Sequence, residues 1–391
     1  MAEASIAGVR RLLLLVCSIV LVDTVFYAAL VPLLPRYADE FDLSKGGAGV
    51  LVAAYAAGAF IGALPGGLAA ARYGPRRAVL LGLGLLGAAS LGFGFAGDPW
   101  TLGIARFVQG FGSALSWAGA LAWLVAGTPR ERRGEMLGTA IGSAIFGALL
   151  GPALGALAEE VGPRPVFIAF AGVAGVLGAW ALRTPPADAE RASLGMLARA
   201  AREPQVIGAL WLMVLPALLF GLLAVLVPLK LDAAGWAAAA IAAVWVGSAA
   251  VEMLVVPVLG RFSDRRGRLL PLRVALGGAV LVATGLALAD RPAVLVPLVV
   301  CASIAFGAFW APAMAMLSDT ADRIGLAQGL AFGLMNAAWG TGNTVGPAVG
   351  GVLADAAGDA LPYALMAVIC ATTLLGLQSL GTRPVRVPEN P

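Results

Sequence analysis

The sequence predicts an all-α membrane protein with twelve transmembrane helices arranged as two similar six-helix bundles. Three observations carry that expectation. Apolar runs of about 20 residues recur from end to end, each long enough to cross a bilayer core of roughly 30 Å. Hydrophobic residues make up 60% of the chain and charged residues 12%. The stretch Gly147-Ala-Leu-Leu-Gly151-Pro152-Ala-Leu-Gly155-Ala156, with Gly138 upstream, returns as Gly342-Asn-Thr-Val-Gly346-Pro347-Ala-Val-Gly350-Gly351; the prolines lie 195 residues apart in a chain of 391. The third is charge: with both termini and the central connector in the cytoplasm, every Lys and Arg lies on that side except Arg36, Lys45, Arg164, Lys230, Arg291 and the intramembrane Arg106. That is the bias expected of cytoplasmic loops.

Taken in order, the spans are expected at 12–36, 47–70, 78–96, 100–126, 136–158, 164–182, 206–230, 236–260, 270–289, 292–317, 324–354 and 361–381. The first is too long for a signal-peptide core and lacks an obvious cleavage site, so it reads as a retained span. Loops are short except Arg183–Gln205, with Pro185 and Pro186 and a weakly amphipathic stretch from Leu194 to Arg202. The division is therefore 1–182, a linker at 183–205, and 206–391. Val31-Pro32-Leu33 and Val227-Pro228-Leu229 close the first span of each half, and Gly67 and Gly260 follow the second, 193 residues apart. Parallel six-span repeats enclosing a site near the bilayer midplane are a transporter plan.

Composition excludes several functions. Cys17, Cys301 and Cys370 are far apart inside apolar spans, which suggests neither a disulfide framework nor a metal centre. Histidine is absent, so proton handling falls to carboxylates. The net charge of +4 reflects topology, and no soluble basic domain is present to bind nucleic acid. An intramembrane enzyme would need paired catalytic residues or metal ligands, and a receptor or scaffold would need larger extramembrane domains. The expected partners are a small-molecule substrate, protons and the lipid bilayer; no cofactor or metal is expected, and the duplicated halves make a monomer sufficient.

Asp23 lies near the middle of the first span, where an ionised group costs several kcal/mol unless paired or hydrated. A carboxylate so placed can exchange a proton or a cationic substrate with a wet cavity, or be satisfied inside the bundle, with Arg106 as the partner. Phe26 and Tyr27 accompany it, and Tyr27, one turn along, is placed to hydrogen-bond it. Glu252 is the deep acid of the eighth span, with Ser248 and Trp245 on its face. Arg106 shares a stripe with Gly110, Ser113 and Trp117. Asp23 and Glu252 are the expected proton-coupling residues. In the eleventh span Phe332, Asn336, Trp339 and Asn343 share one face, and the tenth offers Phe306, Phe309, Trp310 and Met314. Asparagines facing lipid would be costly, so that face should line the interior. Aromatic surfaces suit varied, partly apolar ligands and can engage a cation. The expected substrate surface is Phe26, Tyr27, Gln109, Ser113, Trp117, Trp245, Phe306, Trp310, Phe332, Asn336, Trp339 and Asn343.

Gly260-Arg-Phe-Ser-Asp264-Arg265-Arg266-Gly267-Arg268 resembles the cytoplasmic signature of the major facilitator superfamily. Arg106-Phe-Val-Gln109-Gly110-Phe-Gly112 is similar to that superfamily's fourth-span motif, and the Gly-Pro stretch to its fifth-span antiporter motif. Asp23 to Pro35, with Val31-Pro32-Leu-Leu-Pro35, resembles the first-span motif of its twelve-span drug:proton antiporters. The resemblance implies alternating access by two rocking bundles, efflux driven by the proton gradient, and a part for Arg106 in proton transfer. The gating residues expected are then Gly147, Gly151, Pro152, Gly155, Gly346 and Pro347 on the small-residue faces, Gly260, Asp264, Arg265, Gly267 and Arg268 in the signature loop, and Asp319 at the end of the tenth span. For the small-residue faces the plainer alternative is close packing alone. The first-half copy of the signature departs from the pattern: Ala71 stands where the family has aspartate. The eleventh span also resembles that of vesicular amine carriers, which have an acid at the position of Asn336. The expected function is proton-coupled export of small amphipathic or cationic compounds. A metabolite or sugar carrier, coupled as a symporter or uncoupled, is the alternative.

Overall fold

The computed structural model describes residues 6–129, 132–187, 194–200, 202–266, 269–324, 326 and 328–381. Its described residues form helices and no strand. In the first half, α1 (Ile6–Ala28) and α2 (Leu30–Glu40) make up one span. It is followed by α3 (Lys45–Tyr73), α4 (Pro75–Gly94), α5 (Pro99–Ala126), α6 (Arg133–Val161) and α7 (Pro163–Arg183). A short helix, α8 (Leu194–Ala200), lies in the connector. The second half comprises α9 (Pro204–Ala233), α10 (Ala238–Arg266), α11 (Leu269–Ala287), α12 (Pro292–Gly307) with α13 (Trp310–Ile324), α14 (Gln328–Ala357) and α15 (Ala360–Gly381). Among the described residues nine spans are long and apolar enough to cross a membrane, and α12 and most of α11 are shorter apolar helices. The result is the twelve-helix membrane fold of two six-helix bundles.

Two spans are broken, and proline accounts for where. The first span breaks at Ala29 and the tenth at Ala308–Phe309. Pro32 and Pro312 follow four residues after Ala28 and Ala308. Each proline lacks the N–H that would bond the carbonyl four residues back, and its ring crowds that carbonyl. Prolines 65, 152, 216 and 347 sit inside unbroken helices, so a proline permits a break without forcing one. Two boundaries differ from the sequence expectation. The tenth span runs on to Ile324, which puts Asp319 inside α13 rather than at a span end. The eighth helix continues through Arg266, so Gly260–Arg266 are helical rather than loop.

Connections are tight. Gly74 (φ 88°) and Gly162 (φ 92°) turn the chain with a backbone that favours glycine, and Pro75 and Pro163 start the next helices. Asp98 caps α5 by accepting from the backbone N–H groups of Trp100 (3.0 Å) and Thr101 (2.9 Å). The Thr101 hydroxyl also donates to it at 2.5 Å, and these bonds hold the Asp98 carboxyl below its usual range.

The small-residue faces pack within each half, and they do so in matching places. In the first half, α6 lies on α1: a Cβ at Gly147 would sit 2.5 Å from the Leu21 carbonyl oxygen, and one at Gly151 2.9 Å from that of Val25. Gly155 lies against the Ala29 carbonyl. In the second half, α14 lies on α9, with Gly342 against Val214, Gly346 against Leu218 and Gly350 against Leu222. Any side chain larger than hydrogen would push these backbones apart.

The halves meet along α3 and α14. Gly49 abuts the Pro347 carbonyl, Gly351 that of Lys45, and Gly340 packs on Phe60. Where α3 begins and α14 ends, the Asp355 carboxylate accepts from the backbone N–H of Lys45 (3.0 Å) and Gly46 (2.7 Å), and Lys45 Nζ pairs with Asp359 at 2.5 Å. At the opposite end the ties found among the described residues join each half to the linker. Arg76 donates to the Thr184 carbonyl (3.3 Å) and Trp123 to that of Pro185 (3.1 Å), while Arg323 pairs with Glu203 (2.7 Å).

Candidate functional site

The polar interior of the first half is built around Asp23. The residue is 4% exposed, midway along the first span and six residues before the break at Ala29. Three side chains from two other helices donate to it: Ser113 Oγ at 2.8 Å and Trp117 Nε1 at 2.6 Å from α5, and Tyr55 Oη at 3.2 Å to each carboxylate oxygen from α3. Ser113 and Trp117 are four apart and so share a helix face. A carboxylate that accepts this many hydrogen bonds can be held charged away from water.

Arg106 does not pair with Asp23, contrary to what complementary charge suggested. One terminal nitrogen donates to the Phe26 carbonyl (3.2 Å) and to Gln109 Oε1 (3.1 Å), the other to the Tyr27 carbonyl (3.2 Å). The reason lies in the chain just ahead of the Ala29 break, where carbonyls at the end of α1 are open to a side-chain donor. Its guanidinium also lies over the rings of Tyr55 (4.8 Å to the centroid) and Phe93 (5.9 Å). Arg106 is 1% exposed, and its Nε has no partner among the described residues.

Tyr27 also bonds elsewhere than to Asp23. Its hydroxyl crosses to the second half and donates to Asn343 Oδ1 at 2.9 Å, while Asn343 Nδ2 reaches the Trp339 carbonyl at 3.3 Å. The Tyr27 ring stands 5.2 Å from those of both Tyr55 and Trp339. Asp23, Tyr27, Tyr55, Ser113, Trp117, Trp339 and Asn343 thus form one polar-aromatic layer between the halves. Tyr55 belongs to it unforeseen.

Other expected residues lie outside that layer. Phe26 is fully buried edge-on against Phe170 of α7, 4.1 Å between centroids. Gln109 turns toward α4, donating to Ser90 Oγ at 3.2 Å. Phe306 packs on Phe309 next to the break in the tenth span. Asn336 is half-buried with no hydrogen bond to another described residue. Glu252, partly buried, is placed against Gly307, where a Cβ would meet its Oε1 at 2.6 Å. It has no hydrogen-bond or ionic partner among the described residues. On the same helix, Ser248 donates to its own Val244 carbonyl and Trp245 Nε1 is buried without a partner. The side chains of Trp310, Asp319, Phe332, Asp264 and Arg265 and the placement of Gly260's surroundings are outside those described, and Gly267 and Arg268 lie outside the described residues. Among the described residues no cluster of His, Cys, Asp or Glu could hold a metal ion.

A twelve-helix bundle with a buried, donor-ringed carboxylate beside the seam of its halves has the build of a membrane solute carrier. The chain belongs to the Major Facilitator Superfamily, whose family model matches residues 15–331. It is a multi-pass membrane transporter and not an enzyme. Part of it is 31% identical, over 144 residues, to the class D tetracycline resistance protein of Salmonella ordonez. That match takes in 37% of this chain and 35% of the relative, so it spans about a third of the relative's length. Among solved structures, a bacterial homologue of the human lysosomal transporter Spinster, inward-facing and unoccupied, superposes with a TM-score of 0.76 at 15% identity, covering 98% of this chain and all of that one. The E. coli xylose transporter XylE in a partially occluded inward-open conformation gives 0.75 at 15% identity, over 98% of this chain and 100% of that one. At such identities the likeness speaks to the fold.

Proposed function

We propose that this carrier exports small amphipathic or cationic compounds in exchange for protons, by alternating access. The observation that carries the reading is Asp23: a buried acid in mid-membrane, ringed by neutral donors, with no ion-pairing Lys or Arg among the described residues. Such a group has no ion-pair partner among the described residues, so a proton or a substrate cation can serve in turn, and one carboxylate that both compete for is enough for exchange. Glu252 is the second exchanging acid in this reading and Arg106 the fixed cation beside the first. The aromatic faces of Tyr27, Trp117 and Trp339 provide a surface for an amphipathic cation.

The basic-residue bias favours a cell-membrane topology with the termini and the linker 183–205 on the cytoplasmic side. On that orientation the Lys45, Asp355 and Asp359 ties close the outer end, while the ties described at the cytoplasmic end run from each half to the linker, with none among the described residues running from half to half. This supports reading the structure as inward-facing, with export beginning from the cytoplasm. The small-residue faces of α6 and α14 hold α1 and α9 as rigid pairs when the bundles rock. A single copy suffices. The similarity of one segment to a tetracycline resistance protein favours a drug-like substrate.

The alternative, a sugar or metabolite carrier, has in its favour the amides of Asn336 and Asn343, which suit hydroxyl groups. Transport in proteoliposomes with an imposed pH gradient separates the two. Tetracycline and ethidium should move against their gradients when the interior is acidic and stall when it is not. Flux of xylose with neither drug moving would favour the alternative; no flux of any of these would contradict coupled export of this class.

A further inference from the structure

Tyr55 is the sole polar side chain between Lys45 and Arg72, in the alanine- and glycine-rich middle of α3. It is 2% exposed and touches Asp23 and Arg106, the two buried charged residues described in the first half, which do not pair with each other. Its hydroxyl reaches both oxygens of Asp23 at 3.2 Å, and its ring face lies 4.8 Å from the Arg106 guanidinium carbon. Arg106 in turn holds the Phe26 and Tyr27 carbonyls at the end of α1, just before the break at Ala29. An unbroken series of contacts therefore runs from the acid, through one phenol, to the bend of the first span.

The backbone keeps that phenol in place. Gly110 lies directly against the Tyr55 carbonyl, and Gly58, one turn on, against the Phe107 carbonyl. Helices α3 and α5 approach so closely there that the Tyr55 backbone has little freedom to move independently of α5, which carries Ser113, Trp117 and Arg106, while its ring is held by Asp23 and Arg106.

We propose that Tyr55 is the positioning residue that couples the occupancy of Asp23 to Arg106 and through it to the bend of the first span. This rests on the reading of Asp23 as the exchanging acid. A phenol has one hydrogen, which is committed to the carboxylate while that group is charged and unoccupied. When a proton or a substrate cation takes the carboxylate, the hydroxyl loses its best acceptor and the ring is free to shift. The ring face supplies part of what compensates the buried guanidinium, so a shift alters the Arg106 hold on the two carbonyls. The second half hears of this by the Tyr27 hydroxyl on Asn343, one residue past the first of those carbonyls. The charged or titratable groups around Tyr55 are Asp23 and Tyr27 from α1 and Arg106 from α5. From α14 the neighbours of Tyr27 are the neutral Trp339 and Asn343.

The test needs no identified substrate, since protons alone should drive the change. Spin labels at Gly97 and Ala234, on loops of the two halves, are placed in full-length protein lacking Cys17, Cys301 and Cys370, in lipid nanodiscs. The distance distribution is recorded from pH 5 to pH 9. The parent protein should exchange between two populations across this range, and Asp23→Asn should remain in one of them at every pH. Tyr55→Phe keeps the ring over Arg106 but removes the hydroxyl, and should reduce the pH-dependent change at least about threefold. Replacement of Tyr55 by 3,5-difluorotyrosine, near-identical in shape but a stronger donor, should restore the amplitude and displace the midpoint. That displacement is a response a purely structural role would lack, and it stands even if Tyr55→Phe folds poorly. An Asp23→Asn protein that still switches like the parent, or a parent that does not switch, overturns the reading of Asp23. If Asp23→Asn is locked while Tyr55→Phe switches with full amplitude and difluorotyrosine leaves the midpoint in place, the acid stands and the role of Tyr55 is wrong.

Discussion

Asp23 and Glu252 are both acids deep in a span, one in each half, and the structure treats them differently. Asp23 has three side-chain donors drawn from α3 and α5. Glu252 has none among the described residues and rests against the Cα of Gly307, where the tenth span breaks. The first half is thus organised around a charge, whereas the second contributes surface: Trp339 and Asn343 meet the first half through Tyr27. Among the described residues, duplication of the fold did not duplicate the polar site. What the halves do share is packing, since Gly147, Gly151 and Gly155 of α6 against α1 match Gly342, Gly346 and Gly350 of α14 against α9.

The comparison can be broken most easily at the acids. Asp23→Asn should abolish gradient-driven accumulation of a transported cation in proteoliposomes, because the neutral amide can neither bind the proton nor counter the cation. Glu252→Gln should slow transport while leaving it gradient-dependent; a reversed order of severity would show that the second half holds the coupling acid. Next in size is packing. Gly151→Val puts two methyl groups where Val25 and Ala28 already sit, and overpacking of this kind costs about 1–3 kcal/mol. Gly346→Val should cost a similar amount against Leu218, and thermal unfolding of the two variants in detergent measures both. Equal, small losses would show that the α6 and α14 faces are slack.

A smaller effect is expected at the seam. Asp355→Asn leaves one acceptor for the start of α3 but removes the charge, and Asp359→Ala breaks the pair with Lys45. The double change should raise the labelling of Val52→Cys, a replacement of similar size at a buried position on α3, by a membrane-impermeant maleimide from outside; unchanged labelling would mean the seam is held by packing alone. The smallest effect is at Asp98, which caps α5. Its carboxyl is held below the usual range by Thr101, so its contribution is complete at neutral pH and is lost only as pH falls through that depressed value. Asp98→Ala should therefore lower the unfolding temperature equally at pH 8 and pH 6. A difference that vanishes already at pH 6 would contradict this.

How far the sequence led depends on what sets each feature. Spans were legible because lipid demands a run of apolar residues and leaves few ways to satisfy the backbone. The breaks at Ala29 and Ala308–Phe309 were not anticipated, although Pro32 and Pro312 were visible, because Pro65, Pro152, Pro216 and Pro347 lie in helices that stay continuous. Ser113 and Trp117 could be placed together from their four-residue spacing. Their convergence on Asp23 could not, since helix spacing says nothing about which helices are neighbours. Tyr55 escaped for that reason, though its isolation among alanines and glycines was a signal. Arg106 misled because charge complementarity favoured Asp23, while the carbonyls before the Ala29 break, invisible in a sequence, were nearer. The signature acid Asp264 and the aromatic Trp310 and Phe332 fall where no side chain is described.

The central claim is that proton and substrate compete for Asp23. Its most direct test is proton release from the purified carrier in weakly buffered detergent solution when ethidium or tetracycline is added. The account predicts acidification on addition to the native protein and none with Asp23→Asn. Equal release from both proteins, or binding by the native protein with no release at any pH between 5 and 9, would contradict it.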